Sequence, residues 1–250
     1  MIEALYQQLG IPATCFLGKR VYKKLFYENA ALTVMDKKVF SEDIDDIQWR
    51  YTLKPETINI ARFQDEERDY SEVAILQVNL KDNKHYKRLA QIIQRAIPYP
   101  LLIVFNQGTT VAFAVADKRI SRADADKITV EAFYETDWLD LENLNEMEQA
   151  FIDSCTIRDL SFQNFYAFYT DLTARIIAFN CARLSGQFTL ESLLSREQRI
   201  ENLNALRQAQ QTLAELKAAL KKESQFNRQV GLNVQIKQLT QAIERDKAGI

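Results

Sequence analysis

The sequence is poor in the residues that most enzyme signatures require. Its six glycines in 250 residues form neither a Walker A loop nor a G-x-G-x-x-G fingerprint. It has one histidine, His85, and no G-x-S-x-G segment, so neither a zinc site nor a Ser-His-Asp triad can be assembled from it. These absences argue against an ATPase, a nicotinamide-dependent enzyme and an ordinary methyltransferase. We interpret His85 as a partly exposed residue at the start of a helix, and we expect neither a metal nor a cofactor.

The sequence also lacks features of exported and membrane-spanning proteins. Its three cysteines are odd in number and widely separated, which favours free thiols in a reducing compartment. Apolar runs such as Leu101–Phe105 are far shorter than the ~20 residues that a membrane span needs. The amino-terminal segment has an acidic Glu3 and no apolar core, so it does not resemble a signal peptide. We therefore expect a cytoplasmic protein, and the net charge of -2 argues against general binding of polyanions.

Residues 30–135 predict a mixed sheet flanked by helices, hence an α+β fold. A short helix is expected from Thr33, whose residue type suits an N-cap. The clearest strand alternates polar with apolar residues, and its apolar members are Ile47, Trp49, Tyr51 and Leu53. We expect these four side chains on one face, packed against the amphipathic helix that carries Leu89 and Ile93. Further strands are predicted at Val73–Leu80, Leu101–Phe105, Thr110–Ala116 and Ile128–Phe133, with a hairpin at Asn106–Thr110.

After Gly186 the sequence becomes a helical arm, which gives predicted domains at residues 1–186 and 187–250. Apolar residues recur there in steps of three, four and seven, the pattern of a coiled-coil seam. They are Leu203, Leu206, Leu213, Leu216, Leu220, Leu232, Ile236, Leu239 and Ile243. The spacing is disturbed over Lys221–Asn227, which favours an antiparallel hairpin over the alternative of one continuous helix.

A metal-dependent nuclease site is the one catalytic arrangement that the sequence leaves open. The order of elements over residues 33–105 is compatible with a restriction-endonuclease-like core, which needs an acid on one strand and Glu-x-Lys or Gln-x-Lys on the next. Here Lys81 follows Asn79, an amide where the carboxylate should be, so we expect a degenerate, non-cleaving core. The nuclease alternative would use Glu72 and Lys81 with one of three acids, Asp43, Asp45 or, as the first choice, Asp46.

Two basic patches are candidates for nucleic-acid contact, with a solvated surface as the competing interpretation. The first lies near the amino terminus and contains Lys19, Arg20, Lys23 and Lys24, interleaved with aromatic residues. The second lies at the bend of the arm and contains Lys217, Lys221, Lys222 and Arg228, of which Lys221 and Lys222 are the candidate contacts. Leu193, Leu194 and Ile200 lie off the predicted seam, so we expect them to pack on the body of the protein or on a partner.

Several blocks of the sequence resemble a bacterial family of domains of unknown function. They are Lys23–Asn29, Ile47–Ile60, Ile75–Lys81, Ile97–Pro100, Tyr134–Trp138 and Lys222–Val230. Genes of that family lie beside helicases and DNA methyltransferases in restriction-like phage-defence loci. The resemblance implies a non-catalytic accessory subunit that docks a helicase or DNA methyltransferase through its arm, and it transfers no catalytic residue.

Two alternatives to the accessory subunit stay open, the metal-dependent nuclease and a nucleic-acid-binding module. Contact with DNA through the complex and a homodimer formed through the arm also stay open. Gly231 departs from the resemblance, because an acidic or polar helix former is expected at that position.

Overall fold

A computed structural model describes residues 1–121, 128–191 and 194–247 of the protein. The chain forms two compact units, Met1–Ile176 and Ile177–Ile250. The helices are α1 (Ile2–Leu9), α2 (Lys23–Asn29), α3 (Val34–Glu42), α4 (Pro55–Ile58), α5 (Tyr86–Ala96), α6 (Glu146–Ser154), α7 (Phe165–Ser185), α8 (Arg196–Lys222) and α9 (Phe226–Lys247). The strands are β1 (Phe16–Arg20), β2 (Ile44–Leu53), β3 (Phe63–Gln64), β4 (Asp69–Tyr70), β5 (Val73–Leu80), β6 (Leu101–Gln107), β7 (Thr110–Ile120), β8 (Ile128–Glu135) and β9 (Leu139–Asp140).

The first unit is built on a mixed sheet with the strand order β1-β2-β5-β6-β7-β8, and β9 pairs with β7. Strands β5 and β6 are parallel and are joined by α5, whereas the other neighbours in the sheet are antiparallel. A parallel pair requires such a crossover, because the chain must return to the same end of the sheet. Strands β3 and β4 form a separate two-stranded ribbon. The predicted α+β class is confirmed.

One face of this sheet packs on α5, as the sequence predicted. Leu89 and Ile93 of α5 are completely buried in a cluster that includes Leu76 and Val78 of β5 and Phe105 of β6. These residues lie on one face of the helix and at every second position of the strands. The apolar face of α5 therefore packs on the apolar face of the sheet. Burial of each large apolar side chain contributes about 1.5–3 kcal/mol to this layer.

The predicted single apolar face of β2 is wrong, because a β-bulge divides it. Trp49 is opposite Leu76 and Tyr51 is opposite Ile75, so two steps along β2 match one step along β5. The extra residue, Arg50, reverses the alternation of side chains beyond it. Trp49 therefore packs against the α5 cluster, whereas Tyr51 lies beside the Tyr6 ring, at 5.3 Å between ring centroids.

The second face of the sheet is apolar over the amino-terminal half of β5. There it is covered by α1, α6 and the first part of α7, which enclose an apolar cavity of about 20 Å³. The hydroxyl of Tyr169 donates to the Leu101 carbonyl at 2.9 Å and accepts from the Ala116 amide at 3.0 Å, which fixes α7 to β6 and β7. Phe165, Phe168 and Tyr169 at the start of α7 are thus buried.

The second unit contains the predicted helical pair. Helix α8 begins at a capping box, in which Ser195 accepts from the Gln198 amide at 3.2 Å and donates its own amide to that residue's side chain at 2.9 Å. Three residues separate α8 from α9, and Glu223 stabilises this turn by accepting from the amides of Ser224 and Gln225 at 2.9 Å each. The helices contact each other, and a connection this short makes them antiparallel. The boundary expected after residue 186 stays a prediction.

Candidate functional site

Two rows of polar side chains cross the second face of the sheet at the carboxyl ends of β5 and β6. Strand register places Asp46 of β2 opposite Asn79 of β5, and Asn79 opposite Asn106 of β6. The neighbouring row runs from Arg20 of β1 to Gln48 and Gln77. Directly opposed residues project to the same face, so these six side chains form one surface, called here the polar rows. The polar rows are Arg20, Asp46, Gln48, Gln77, Asn79 and Asn106.

Amide groups bind one another and the single carboxylate within the polar rows. Asn106 and Gln77 each donate to Oδ1 of Asn79, both at 2.9 Å. Asn79 in turn donates to Oδ1 of Asp46, and Gln48 donates to Oδ2 of Asp46 at 2.8 Å. Both oxygens of the carboxylate therefore accept from neutral amides, with no cation bound directly to it in the described residues.

The exposure of the polar rows increases outward from Gln77. Gln77 is only 4% exposed, and its Oε1 meets no hydrogen-bond donor in the part of the chain that the structure describes. Asp46, Gln48, Asn79 and Asn106 are half-buried, and Arg20 is exposed. An open depression above β1 and β2 is lined by Gly18, Arg20, Asp45, Asp46 and Gln48.

Gly18 shapes the β1 side of this depression. Its φ of +63° lies in the left-handed region that favours glycine. A Cβ at this position would lie 2.7 Å from the Phe16 ring, so glycine also leaves the space that the ring occupies. The Phe16 side chain is 54% exposed and stands next to the polar rows.

The three residues of the nuclease alternative do not lie together. Lys81 follows β5, and its Nζ lies 3.8 Å from Asp45, with both side chains more than half exposed. Glu72 precedes the other end of β5 and pairs with Lys54 at 3.3 Å. A strand rises about 3.3 Å per residue, so roughly 30 Å of strand separates Glu72 from Lys81. Glu72 therefore cannot share a metal ion with Asp46.

The remaining acid of that alternative, Asp43, has a structural partner. Its Oδ2 lies 2.7 Å from Nδ1 of His85, the residue that precedes α5, and its carbonyl accepts from the Lys81 amide at 2.7 Å. Asp43 thus connects the start of β2 to the end of β5 and to α5. Within the described residues, no group of three or more His, Cys, Asp or Glu side chains is placed to hold a metal ion.

The amino-terminal basic residues differ in their surroundings, and the Arg20 guanidinium lies 5.9 Å from the centre of the Tyr22 ring. Lys19 and Arg20 are exposed on β1. Lys23 donates to the carbonyls of Ser41 and Ile44, and burial lowers its pKa below the usual value for lysine. Lys24 is exposed and lies 3.4 Å from Glu28 on the same helix. Of this predicted patch, the structure brings only Arg20 into the polar rows.

The bend of the arm is basic, as the sequence predicted. Lys221 and Lys222 are exposed in the last turn of α8. Of the predicted partner-binding residues, Ile200 is half-buried on α8, Leu194 is half-buried just before it, and Leu193 lies outside the described residues.

An apolar stripe on α9 was not recognised from the sequence. Phe226, Val230 and Val234 are exposed to 74%, 46% and 50%, whereas every residue of the predicted seam is at least half-buried. Their constant spacing of four residues is the signal that marks a second stripe, separate from the seam. We call these three residues the α9 stripe.

The sequence offers a signal for the polar rows as well. Polar residues recur at every second position as β2 begins and as β5 ends, in Asp46-x-Gln48 and Gln77-x-Asn79, and Asn106 lies near the end of β6. The sequence alone does not give the strand pairing that joins these segments.

The fold thus defines a class: an α+β domain on a mixed sheet, combined with a helical hairpin. In the described residues, no helix is long and apolar enough to cross a membrane. The chain belongs to the family described as Domain of unknown function (DUF4391), whose model matches residues 9–243. Comparisons with curated proteins and with solved structures give no match.

Proposed function

We propose that this protein is a non-catalytic accessory subunit of a multi-protein assembly and that α9 is its docking element. The observation that carries the proposal is the α9 stripe, three apolar side chains exposed on one helix. The hairpin already buries its own seam, including Leu203, Leu206 and Ile243. Stability of the hairpin therefore does not require the α9 stripe, and exposed apolar patches of this kind are typical of interaction sites.

The geometry of the α9 stripe fits a helix of the partner. Residues advance by about 100° around a helix, so positions four apart are displaced by only about 40°. Phe226, Val230 and Val234 thus lie within an arc of about 80°. An apolar ridge of this width packs into the groove of a second amphipathic helix.

Charge specifies the chemistry of that partner helix. The exposed cations near the bend are Lys217, Lys221, Lys222 and Arg228, with Lys237 farther along α9 and one exposed acid, Glu215, two residues before Lys217. Helix α9 has no acidic residue before Glu244, and Glu223, near the bend, lies 3.9 Å from Arg228. An acidic amphipathic helix therefore complements both the α9 stripe and its surroundings.

The family resemblance supplies the identity that we propose for the partner, a helicase or DNA methyltransferase subunit of an anti-phage defence system. The polar rows support the non-catalytic part of the proposal. Asn79 stands where a divalent metal would need a carboxylate, and Asp46 is already bound by two amides.

Binding of the partner tests the proposal directly. The protein is co-expressed with the products of its neighbouring genes, which the proposal expects to include a helicase or DNA methyltransferase, and the affinity of a purified partner is measured by biolayer interferometry. We expect Val230→Glu with Val234→Glu to weaken binding by at least about tenfold, which is about 1.4 kcal/mol. The matched control is Asn204→Glu with Gln208→Glu, which adds the same charge at exposed positions of α8, away from the α9 stripe. Equal binding by both variants would place the docking surface elsewhere, and loss of a homodimer instead would identify a second copy as the occupant.

A metal-dependent nuclease is the second candidate, favoured by one observation. Asp46 is paired in register with Asn79, and Lys81 follows two residues later at the same end of the sheet. Plasmid cleavage in the presence of Mg²⁺ or Mn²⁺, abolished by Lys81→Ala, would select this candidate. The accessory-subunit proposal predicts no cleavage above that of the Lys81→Ala protein.

A further inference from the structure

We infer that the polar rows bind an unpaired nucleotide, with their amides contacting the base and the flanking cations contacting phosphate. The site lies in the first unit and is independent of the docking proposed for α9. It differs from the basic patches of the sequence, since only Arg20 belongs to both.

The polar rows lie at the carboxyl ends of the parallel pair β5 and β6. In open sheets with parallel strands, ligands occupy the region beyond the carboxyl ends of those strands. Asn79 and Asn106 lie at these ends in the parallel pair β5 and β6 and are paired in register. The apolar side chains of the same face lie farther toward the amino ends of the strands, under α1, α6 and α7.

The hydrogen-bonding groups match the edge of a base. An amide side chain presents a donor and an acceptor side by side, the arrangement with which Asn and Gln recognise adenine, and a carboxylate accepts from the amino group of cytosine. The rows contain four amides and one carboxylate on adjacent strands. In addition, Oε1 of Gln77 is buried without a donor in the described part of the chain. A buried acceptor without a donor is unfavourable, so a hydrogen bond from a ligand amino group to Gln77 would be stabilising.

The charges favour a single strand over a duplex. Arg20 lies at one end of the second row, and Lys81 follows the end of β5, where its Nζ lies 3.8 Å from Asp45, so two exposed cations lie beside the amides. Asp45 and Asp46 oppose the dense phosphates of a duplex. The Phe16 ring beside Gly18 is 54% exposed, although the Arg50 guanidinium lies 5.5 Å from its centre, and its exposed part offers a surface on which a base can stack. Base edges are accessible for such contacts mainly in unpaired strands.

Fluorescence anisotropy with labelled DNA and RNA oligonucleotides of mixed sequence tests the inference. We expect single strands to bind at least about tenfold more tightly than the duplex of the same sequence. Two phosphate contacts predict a slope of about -1.4 in a plot of log affinity against log salt. Competition by free mononucleotides distinguishes the two sources of the ligand: strong competition identifies a free nucleotide, and weak competition identifies a strand.

Single substitutions separate base contacts from phosphate contacts: the amide variants keep the net charge, and Arg20→Ala changes it. Asn106→Leu and Gln48→Leu should each weaken single-strand binding about fivefold or more and leave the salt slope unchanged. Arg20→Ala should make the slope shallower by about 0.7. The matched control is Gln7→Leu, an exposed amide on α1, which should bind like the unaltered protein. Circular dichroism and thermal unfolding establish that each variant is folded.

Three results would overturn the inference. The first is the absence of binding by any single strand or mononucleotide. The second is equal affinity for duplex and single strand together with unchanged binding by both amide variants, since phosphates alone would then be recognised. The third is loss of binding in Lys221→Ala with Lys222→Ala but not in the amide variants, which would move the contact to the arm.

Discussion

The second face of the sheet differs between the two ends of the same strands. Toward the amino end of β5 it presents Val73 and Ile75, both buried under helices of the first unit. Toward the carboxyl end the same face presents Gln77 and Asn79. Strand geometry is the same in both halves, so the difference lies in the side chains and in what covers them.

Stability of the fold accounts for the apolar half of this face but not for the polar half. The apolar half is closed, and its cavity of about 20 Å³ is barely large enough for one water molecule, so it leaves no space for a ligand. The polar half contains an unfilled acceptor and a carboxylate bound by amides, as far as the described residues extend. Apolar side chains would stabilise the fold at least as well, so stability alone does not account for the polar rows.

The apolar half should be the more sensitive of the two to truncation. Phe113 is 3% exposed, and its ring is 5.7 Å from that of Phe151 in an edge-to-face arrangement. We expect Phe113→Ala to lower the free energy of unfolding by about 3–5 kcal/mol, because it enlarges an existing cavity. Urea denaturation measures the change. A loss no larger than that of Asn106→Ala would contradict the contrast between the two halves.

The opposite face of the sheet contains a buried polar group of its own, the Lys118 ammonium. Lys118 is 2% exposed and donates from Nζ to the carbonyls of Ile97 and Tyr99, both at 2.7 Å. Burial lowers the pKa of Lys118 from 10.5 to about 7. The unfolded chain therefore binds this proton more tightly than the folded protein over the interval between those two values.

Stability should consequently rise with pH above 7. The slope for one proton is at most about 1.4 kcal/mol per pH unit, and it should be seen between about pH 7.5 and 9. At higher pH the rise is opposed, because burial raises the pKa of Cys155 to about 12 and that of Tyr169 above its usual value. Urea denaturation at several pH values should show the rise in the unaltered protein and a flatter profile in Lys118→Met. Parallel profiles would show that Lys118 is protonated equally in both states.

The sequence predicted the elements that local pattern determines. The N-cap at Thr33, the amphipathic α5 and the hairpin at Asn106–Thr110 all follow from neighbouring residues, and all are present. The bend of the arm follows from a break in heptad spacing. In each case a few consecutive residues determine the local structure.

The features that escaped prediction depend on pairing between distant segments. The bulge at Arg50 is visible only as a register shift between β2 and β5, and it moved Tyr51 to the other face. The polar rows join residues from four strands. Glu72 and Lys81 are close in sequence, yet an extended strand carries them to opposite ends of the sheet. Sequence periodicity contains none of this information.

A substitution at Gln77 tests whether the polar rows stabilise the fold. Replacement by leucine removes the buried acceptor that has no donor in the described residues and keeps a similar volume. We expect Gln77→Leu to raise the free energy of unfolding by up to about 1 kcal/mol, because the lost bond to Asn79 is worth less than the desolvation that is relieved. Thermal and urea unfolding provide the measurement, and Asn79→Leu, which also leaves Asp46 short of a donor, is the contrasting variant. A large destabilisation by Gln77→Leu would mean that the polar rows are structural.

Placing a carboxylate at position 79 tests whether the polar rows lack only one acidic ligand of a divalent-metal site. In Asn79→Asp two carboxylates would be directly opposed on β2 and β5, since Asp46 and Asn79 are register partners. Opposed like charges destabilise a sheet by about 0.2–1 kcal/mol, and a divalent cation between them removes that repulsion. We therefore expect a modest decrease in Tm in EDTA and a recovery with millimolar Mg²⁺ or Mn²⁺, whereas the unaltered protein should not respond. Asn106→Asp adds the same charge one strand farther from Asp46 and should respond less. A response of the unaltered protein equal to that of Asn79→Asp would show that the amide already serves as a metal ligand, which would favour the nuclease candidate.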